Sequence, residues 1–219
     1  ERTRQVDARL LKQAHIDCLR TWGPTTRKRA MDAYQRGFYV VPTVGRKGLK
    51  PTGFADGLEK GVCFADRANV KRFQQLCESA AREVAGVEGC PVLLLGNEYS
   101  YVGRNRAGVW TYLGFDEVTQ QAFRQWLWRR FGSVELLNRA CGTQYGTFEQ
   151  FKAPGRGRAR YQWWLFLRET FSKYMKAGYE AAKRAAPRLN ISYAKLMGSH
   201  WDPCTEDARL SFLDVQGDN

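Results

Sequence analysis

The nine residues from Pro91 to Tyr99 read PVLLLGNEY and decide the fold class of this chain. Four consecutive apolar residues, Val92 to Leu95, are typical of a parallel β-strand that is covered on both faces. Gly96, Asn97 and Glu98 close this apolar run. Polar residues at the C-terminal end of a parallel strand stand where α/β barrels place their reacting groups. The stretch therefore predicts a buried strand that ends in a candidate site.

Strands and helices alternate along the rest of the chain. The predicted strands are residues 16–22, 38–43, 91–96, 191–197 and 212–215, and the predicted helices are residues 26–35, 66–86, 116–132, 133–142 and 159–186. Each connection is long enough for a right-handed crossover, so this order predicts a parallel α/β sheet. A doubly wound sheet and a (β/α)₈ barrel both fit the order. No phosphate-binding glycine motif follows any strand, which favours the barrel.

The composition is that of a folded domain with a basic surface. The chain has 219 residues, of which 43% are apolar, and 35 basic against 22 acidic residues give a net charge of +13. Such an excess attracts polyanions whatever the fold. The basic residues are scattered over loops and polar faces, and no nucleic-acid-binding motif accompanies them. We therefore interpret them as solvated surface and expect no nucleic-acid partner.

Other partners and the cellular compartment are only partly constrained. No run approaches the roughly 20 apolar residues of a membrane helix, so we expect no membrane partner. The chain begins at Glu1 without an initiator Met or a signal-peptide pattern, so we expect the natural N-terminus to be missing, and the compartment stays unassigned. The six cysteines form no CxxC pair and predict no metal or cofactor. We interpret Cys18 and Cys77 as small core residues.

Glu98 is the candidate for acid or base chemistry. A carboxyl group that follows four apolar residues, with Tyr99 and Tyr101 as neighbours, would have its pKa raised by desolvation and could donate a proton. A glutamate that caps a helix or forms an ion pair is an equally good interpretation of the spacing. The residues around Glu98 leave both interpretations open.

Two segments resemble a known family of enzymes. Asn97-Glu98-Tyr99 after an apolar strand resembles the acid/base motif of the clan A glycoside hydrolases. The segment from Phe123 to Thr143, FRQWLWRRFGSVELLNRACGT, is similar to the segment FRxWLxxKYGTLExLNxAWGT that follows this motif in glycoside hydrolase family 42, the β-galactosidase family. Residues 18–22 and 37–42 are similar to the second and third barrel strands of the clan.

The resemblance implies a fold and a mechanism. The fold is part of a (β/α)₈ TIM barrel, about strands two to six, in one incomplete domain over residues 1–219. Glu98 would be the general acid/base of a retaining glycosidase that cleaves β-linked glycosides such as β-galactosides, and Asn97 would donate to the sugar 2-hydroxyl. Arg20 would interact with the nucleophilic glutamate, which the clan carries on strand seven, outside this segment. Because retaining hydrolysis needs both carboxyl groups, we expect the segment alone to be inactive.

Three aromatic residues are candidates to bind an oligosaccharide substrate: Tyr99, Trp110 and Trp201. An aromatic face can cover the apolar face of a pyranose ring, although ordinary packing is the simpler interpretation of each residue. The loop from Ser100 to Phe115 has no cysteine where many family members hold part of a zinc-binding cluster. This departure again predicts that no metal is bound.

Two alternatives concern the ligand. A non-catalytic carbohydrate-binding or polyanion-binding barrel remnant would explain the basic charge and the missing strand seven together. Arg104 and Arg106 follow Glu98 closely and could bind the carboxylate or sulfate of an anionic sugar. Their simpler interpretation is as exposed loop charges, so we expect a neutral sugar substrate.

Overall fold

The computed structural model describes residues 8–151, 157–194, 202–204 and 210–214. In chain order the elements are α1 (Ala8–Gln13), β1 (Cys18–Arg20), α2 (Arg27–Gln35), β2 (Tyr39–Val41), β3 (Thr52–Gly53), β4 (Glu59–Lys60), α3 (Arg67–Val84), β5 (Val92–Asn97), β6 (Val102–Arg104), β7 (Trp110–Tyr112), α4 (Glu117–Phe131), α5 (Val134–Cys141), a 3₁₀ turn (Phe148–Gln150), α6 (Gly157–Ala185) and β8 (Asn190–Ala194). No helix among these residues is long and apolar enough to cross a membrane.

Parallel strands β1, β2, β5 and β8 lie side by side in that order. β1 pairs with β2, and β5 pairs with β8, both in parallel. The Leu94 backbone N–H donates to the Pro42 carbonyl at 2.9 Å, and the Val44 N–H donates to the Leu94 carbonyl at 2.8 Å, which joins β2 to β5. The described sheet is therefore open and parallel, as the alternation of strands and helices predicts.

The helix starts follow from capping side chains. Thr26, Asp66, Asp116 and Ser133 each accept a hydrogen bond from a backbone N–H in the first turn of the helix that follows. These bonds satisfy donors that a helix leaves unpaired at its N-terminus. The predicted starts of α2, α3, α4 and α5 are confirmed to within one residue.

The interior lies between the sheet and the two long helices α3 and α6. Gly178 of α6 faces Phe73 and Cys77 of α3, and a Cβ atom at Gly178 would lie 2.9 Å from Phe73 Cζ. The missing side chain therefore lets the two helices approach closely. Cys77 is fully buried as predicted, whereas Cys18 is exposed because it begins the edge strand β1, so the core assignment of Cys18 is wrong.

Two segments expected to be loops contain antiparallel hairpins. β3 pairs with β4, and β6 pairs with β7, within the stretches 45–61 and 100–115. Strands of two or three residues are too short to show a periodic pattern of apolar residues, so they could not be predicted from the sequence. The Gly53 carbonyl accepts hydrogen bonds from the N–H groups of Gly114 and Phe115, both at 3.0 Å, and these bonds hold the two hairpins together.

The last predicted strand is wrong where the structure describes it. Phe212 and Asp214 lie in a turn and a bend, while Val215 and residues 195–197 of the preceding predicted strand lie outside the described residues. The carboxylate of Asp214 accepts the Ile191 N–H at 2.9 Å, and the Asp214 N–H donates to the Ile191 carbonyl at 3.1 Å. Asp214 thus forms hydrogen bonds with the Ile191 backbone groups at the edge of β8, where the predicted last strand would have paired.

Asp214 has a pKa below its ordinary value. Partial burial raises the pKa of this carboxyl. Hydrogen bonds from Lys183 and the Ile191 N–H, together with the charge of Lys183, lower the pKa by more than burial raises it. The Lys183 Nζ to Asp214 Oδ2 distance is 3.0 Å, and the Tyr179 hydroxyl donates to Oδ1 at 3.2 Å. A carboxylate with a lowered folded-state pKa stabilises the fold above its unfolded pKa and loses that contribution as the pH falls through the folded pKa.

We expect Asp214→Asn to lower the free energy of unfolding by roughly 1–3 kcal/mol at pH 7, because the amide loses the charge-assisted hydrogen bonds. The difference in unfolding free energy from the wild type should shrink as the pH falls below 3.8, the ordinary pKa of this carboxyl. Chemical denaturation of the full-length protein at several pH values measures both effects. The control is Glu78→Gln, which removes an exposed ion pair with Arg82 and should change stability by less than about 0.5 kcal/mol. Equal effects of both substitutions would contradict the prediction.

Candidate active site

Two of the predicted site residues meet at the C-terminal ends of the parallel strands. Arg20 is the last residue of β1 and Asn97 is the last residue of β5. The Arg20 guanidinium reaches past β2, and its Nη2 donates a hydrogen bond to Oδ1 of Asn97. The parallel sheet therefore brings together two side chains that are 77 positions apart in the sequence.

Arg20 determines how the Asn97 amide can be used. Because the side-chain oxygen of Asn97 already accepts from Arg20, its NH₂ group is the end that remains for a ligand. The Nε atom of Arg20 is buried and has no hydrogen-bond partner among the described residues. Arg20 thus keeps a further donor for a carboxylate or a ligand oxygen.

A second arginine, which the sequence analysis missed, also contacts Asn97. Arg46 follows the end of β2, and its Nη2 donates to the Asn97 backbone carbonyl at 2.5 Å. Its guanidinium carbon lies 4.5 Å from the centre of the Tyr99 ring. Arg46 is one of the basic residues interpreted as solvated surface, although its position shortly after the end of a predicted strand is a signal for a place in the site.

Glu98 occupies an unusual backbone position directly after β5. Its φ is +46°, in the left-handed region that residues other than glycine seldom adopt, and its N–H donates to the Ala194 carbonyl at 2.8 Å. Such conformations cluster at functional sites. The Glu98 side chain is exposed, so the described residues do not supply the apolar pocket that the sequence analysis expected. Within the same residues Glu98 caps no helix and forms no ion pair.

Tyr99 belongs to the core rather than to a sugar-binding surface. It is only 2% exposed, its ring stacks on Tyr193 at a centroid distance of 5.9 Å, and its backbone N–H donates to the Tyr193 hydroxyl at 2.6 Å. Burial raises the pKa of Tyr99 to about 12, against an opposing effect of the Arg46 charge. The predicted contact between Tyr99 and substrate is therefore corrected: the turn at Glu98 sends the next side chain inward between α3 and α6.

Two tryptophans are open to solvent, one on the β6–β7 hairpin and one just beyond β1. Trp110 on β7 is 53% exposed, and the Arg104 guanidinium carbon lies 5.5 Å from its ring centre. Trp22, which the sequence analysis did not select, is 76% exposed two residues beyond β1, with Arg20 at 5.0 Å from its ring centre. Trp201 lies outside the described residues.

A buried aspartate anchors the segment that follows Glu98. Asp202 is fully buried, and its carboxylate accepts hydrogen bonds from the Ser100 hydroxyl, from the Cys204 N–H at 3.0 Å and from the Tyr101 N–H at 3.3 Å. Burial raises the pKa of Asp202, and these hydrogen bonds oppose that rise. Residues 202–204 are thereby tied to the chain just after the candidate acid/base.

The arrangement suits binding and proton transfer to a polyhydroxylated ligand. An exposed carboxyl group, an amide NH₂ and guanidinium groups meet at one end of the sheet, where parallel barrels carry their reacting residues. Neither Arg20 nor Arg46 forms an ion pair within the described part of the chain. No three or more His, Cys, Asp or Glu side chains among those residues are grouped to hold a metal ion.

Comparison with known families agrees with this geometry. The sequence model of the glycoside hydrolase 42 family, described as beta-galactosidase, matches residues 59–213. The chain belongs to glycoside hydrolase family 42. The match includes β5, the Asn97-Glu98 pair and the segment from Phe123 to Thr143 on which the sequence resemblance rests.

Solved structures share the fold of this family 42 chain. A beta-galactosidase from the psychrophilic Marinomonas ef1 superposes with a TM-score of 0.75 at 15% identity, covering 97% of this chain and 37% of its own. A beta-galactosidase from the haloarchaeon Halorubrum lacusprofundi gives 0.74 at 16% identity, covering 97% and 37%. The catalytic domain of a beta-amylase from Paenibacillus polymyxa gives 0.69 at 16% identity, covering 86% and 61%.

These likenesses show the fold of a TIM-barrel glycosidase, of which the described residues form an open part. The predicted family and partial barrel are confirmed. The family 42 chain spans a little over a third of the length of the beta-galactosidases to which it is similar. No curated protein matches the sequence.

Proposed function

We propose that this chain forms part of a retaining β-glycosidase in which Glu98 is the general acid/base. The observation that carries the proposal is the Arg20–Asn97 hydrogen bond next to Glu98 at the C-terminal end of the parallel strands. Membership of family 42 supports a β-glycosidase, and the beta-galactosidases of similar fold support β-galactosides as the substrates.

In the first half of the reaction, Glu98 is protonated. A glutamate nucleophile from a strand outside this chain attacks the anomeric carbon, the bond to the leaving-group oxygen breaks, and Glu98 gives that oxygen its proton. In the second half, the Glu98 carboxylate takes a proton from water, whose oxygen displaces the nucleophile from the anomeric carbon. The two carboxyl groups of such enzymes stand roughly 5 to 5.5 Å apart.

The residues around Glu98 have roles that fit this scheme. The Asn97 NH₂ donates to the sugar 2-hydroxyl, a hydrogen bond that strengthens as positive charge develops at the anomeric carbon. Arg20 holds the amide in the required orientation, and its buried Nε is available to the nucleophilic carboxylate. Trp22 offers an open indole face beside Arg20 for the apolar side of a pyranose.

The test is hydrolysis of aryl β-glycosides by the full-length protein, with ¹H NMR used to identify the anomer released first. We expect turnover of the β-galactoside with the β-anomer as the first product. Release of the α-anomer would contradict the retaining mechanism. Saccharide binding by calorimetry without any turnover would support instead the non-catalytic binding module, and would overturn the proposal.

A further inference from the structure

One face of the β6–β7 hairpin carries an exposed arginine beside an exposed tryptophan. Val102 pairs with Tyr112 and Arg104 pairs with Trp110, so these four side chains lie on the same face of the hairpin. Val102 and Tyr112 are buried at its base, whereas Arg104 and Trp110 are exposed towards its tip. The exposed pair therefore projects from a fixed base.

Two arginines lie against aromatic rings along this face. Arg104 lies 5.5 Å from the Trp110 ring centre, and Arg160 of α6 lies 5.3 Å from the Tyr112 ring centre. Burial raises the pKa of Tyr112, and the Arg160 charge opposes that rise. No carboxylate within the described residues forms an ion pair with Arg104 or Arg160, so neither positive charge is neutralised there.

Arg106, at the turn of the same hairpin, has a different environment. Its backbone N–H donates to Asp56 Oδ2 at 2.8 Å. The hydrogen bond from Arg106, a second one from the Leu58 N–H and the Arg106 charge together lower the pKa of Asp56. The charge of Arg106 thus acts on the Asp56 carboxylate, whereas Arg104 forms no ion pair within the described residues, and Arg106 therefore serves as a matched control.

The hairpin is held firmly and lies close to Glu98 along the chain. β6 begins four positions after Glu98, and the Leu113 N–H donates to the Tyr101 carbonyl at 2.7 Å. On the opposite face, Phe54 packs so closely against Gly103 that a Cβ atom there would lie 2.9 Å from Phe54 Cζ. A ligand on the open face would therefore meet preorganised groups, which lowers the entropic cost of binding.

We propose that Arg104 and Trp110 form a subsite for an anionic sugar unit, one that carries a carboxylate or a sulfate ester. The indole stacks on the pyranose ring, and the guanidinium binds the anion with two parallel hydrogen bonds. The substrate is then an acidic galactoside oligosaccharide rather than the neutral sugar that the sequence analysis expects. This inference rests on the proposed glycosidase function.

The experiment uses the full-length Glu98→Gln variant, which binds without turnover, in calorimetric titrations. The probes are a sulfated galactan oligosaccharide, a uronate-containing galactan oligosaccharide and a neutral one of the same length. We expect the anionic probes to bind more tightly, with a preference that weakens between low and high salt. Adding Arg104→Ala should reduce the ratio of anionic to neutral affinity by about tenfold or more, as lost hydrogen bonds to a charged group do.

Matched variants separate the outcomes. Arg106→Ala should leave the affinity ratio unchanged, whereas Trp110→Ala should weaken binding of both charged and neutral probes. Equal loss on Arg104→Ala and Arg106→Ala, or no preference for anionic probes, would overturn the inference. Turnover of neutral aryl β-galactosides by the wild type tests the glycosidase function separately, so a protein that hydrolyses them without any anionic preference disproves only the subsite.

Discussion

We expect that replacing Glu98, the proposed general acid/base, with alanine lowers kcat of the full-length protein on an unactivated β-galactoside by about 10²- to 10⁴-fold, the range that general acid/base catalysis contributes. The physical reason is that the departing sugar hydroxyl must leave without a proton. Aryl galactosides with acidic leaving groups need little protonation, so their glycosylation step should be much less affected. Steady-state kinetics on both substrate types, with KM reported beside kcat, measure the difference.

Azide and a second glutamate give the controls for this prediction. Azide needs no general base and fits the space left by the side chain, so it should restore turnover of the aryl galactoside by Glu98→Ala and yield a glycosyl azide of retained configuration. Glu88→Ala removes an exposed glutamate just before the opposite end of β5 and should leave kcat unchanged. Full activity of Glu98→Ala on the unactivated substrate would remove Glu98 from the mechanism.

Replacing Gly96 with alanine is expected to give the largest loss of stability near the site. A Cβ atom at Gly96 would lie 2.8 Å from Tyr99 Cζ and closer still to Cε2. The Tyr99 ring cannot move aside, because it is buried against Tyr193, Phe73 and Tyr174. Overpacking of this kind lowers the free energy of unfolding by roughly 1–3 kcal/mol. We therefore expect the midpoint temperature of thermal unfolding of the full-length protein to fall.

The same substitution should also impair catalysis, because Gly96 directly precedes Asn97 and Glu98. A displacement of reacting groups by about 1 Å can cost roughly 10²-fold in rate.

Gly146→Ala is the control for the stability prediction. The nearest atom to its Cβ, at 3.4 Å, is Oε1 of the exposed Gln150, so stability should change little. Adding Tyr99→Ala to Gly96→Ala removes the clash, and the combined loss should be smaller than the sum of the two. A Gly96→Ala protein as stable as the wild type would contradict this account.

Features that depend on neighbouring residues could be predicted from the sequence. The apolar run from Val92 to Leu95 predicted a parallel strand, and side chains such as Asp66 and Asp116 marked helix starts, because a strand burial pattern and a helix cap are both local. The motif at Asn97 and Glu98, with the segment that follows, was sufficient to indicate the family.

Contacts between residues far apart in the sequence could not be predicted and are seen only in the folded chain. Arg46 reaches the Asn97 carbonyl from 51 positions away, and Tyr99 turns inward although it follows the exposed Glu98 directly. The face shared by Arg104 and Trp110 depends on the register of a hairpin too short to be predicted. Such contacts arise when the folded sheet brings distant segments together, and no periodicity or spacing along the chain records them.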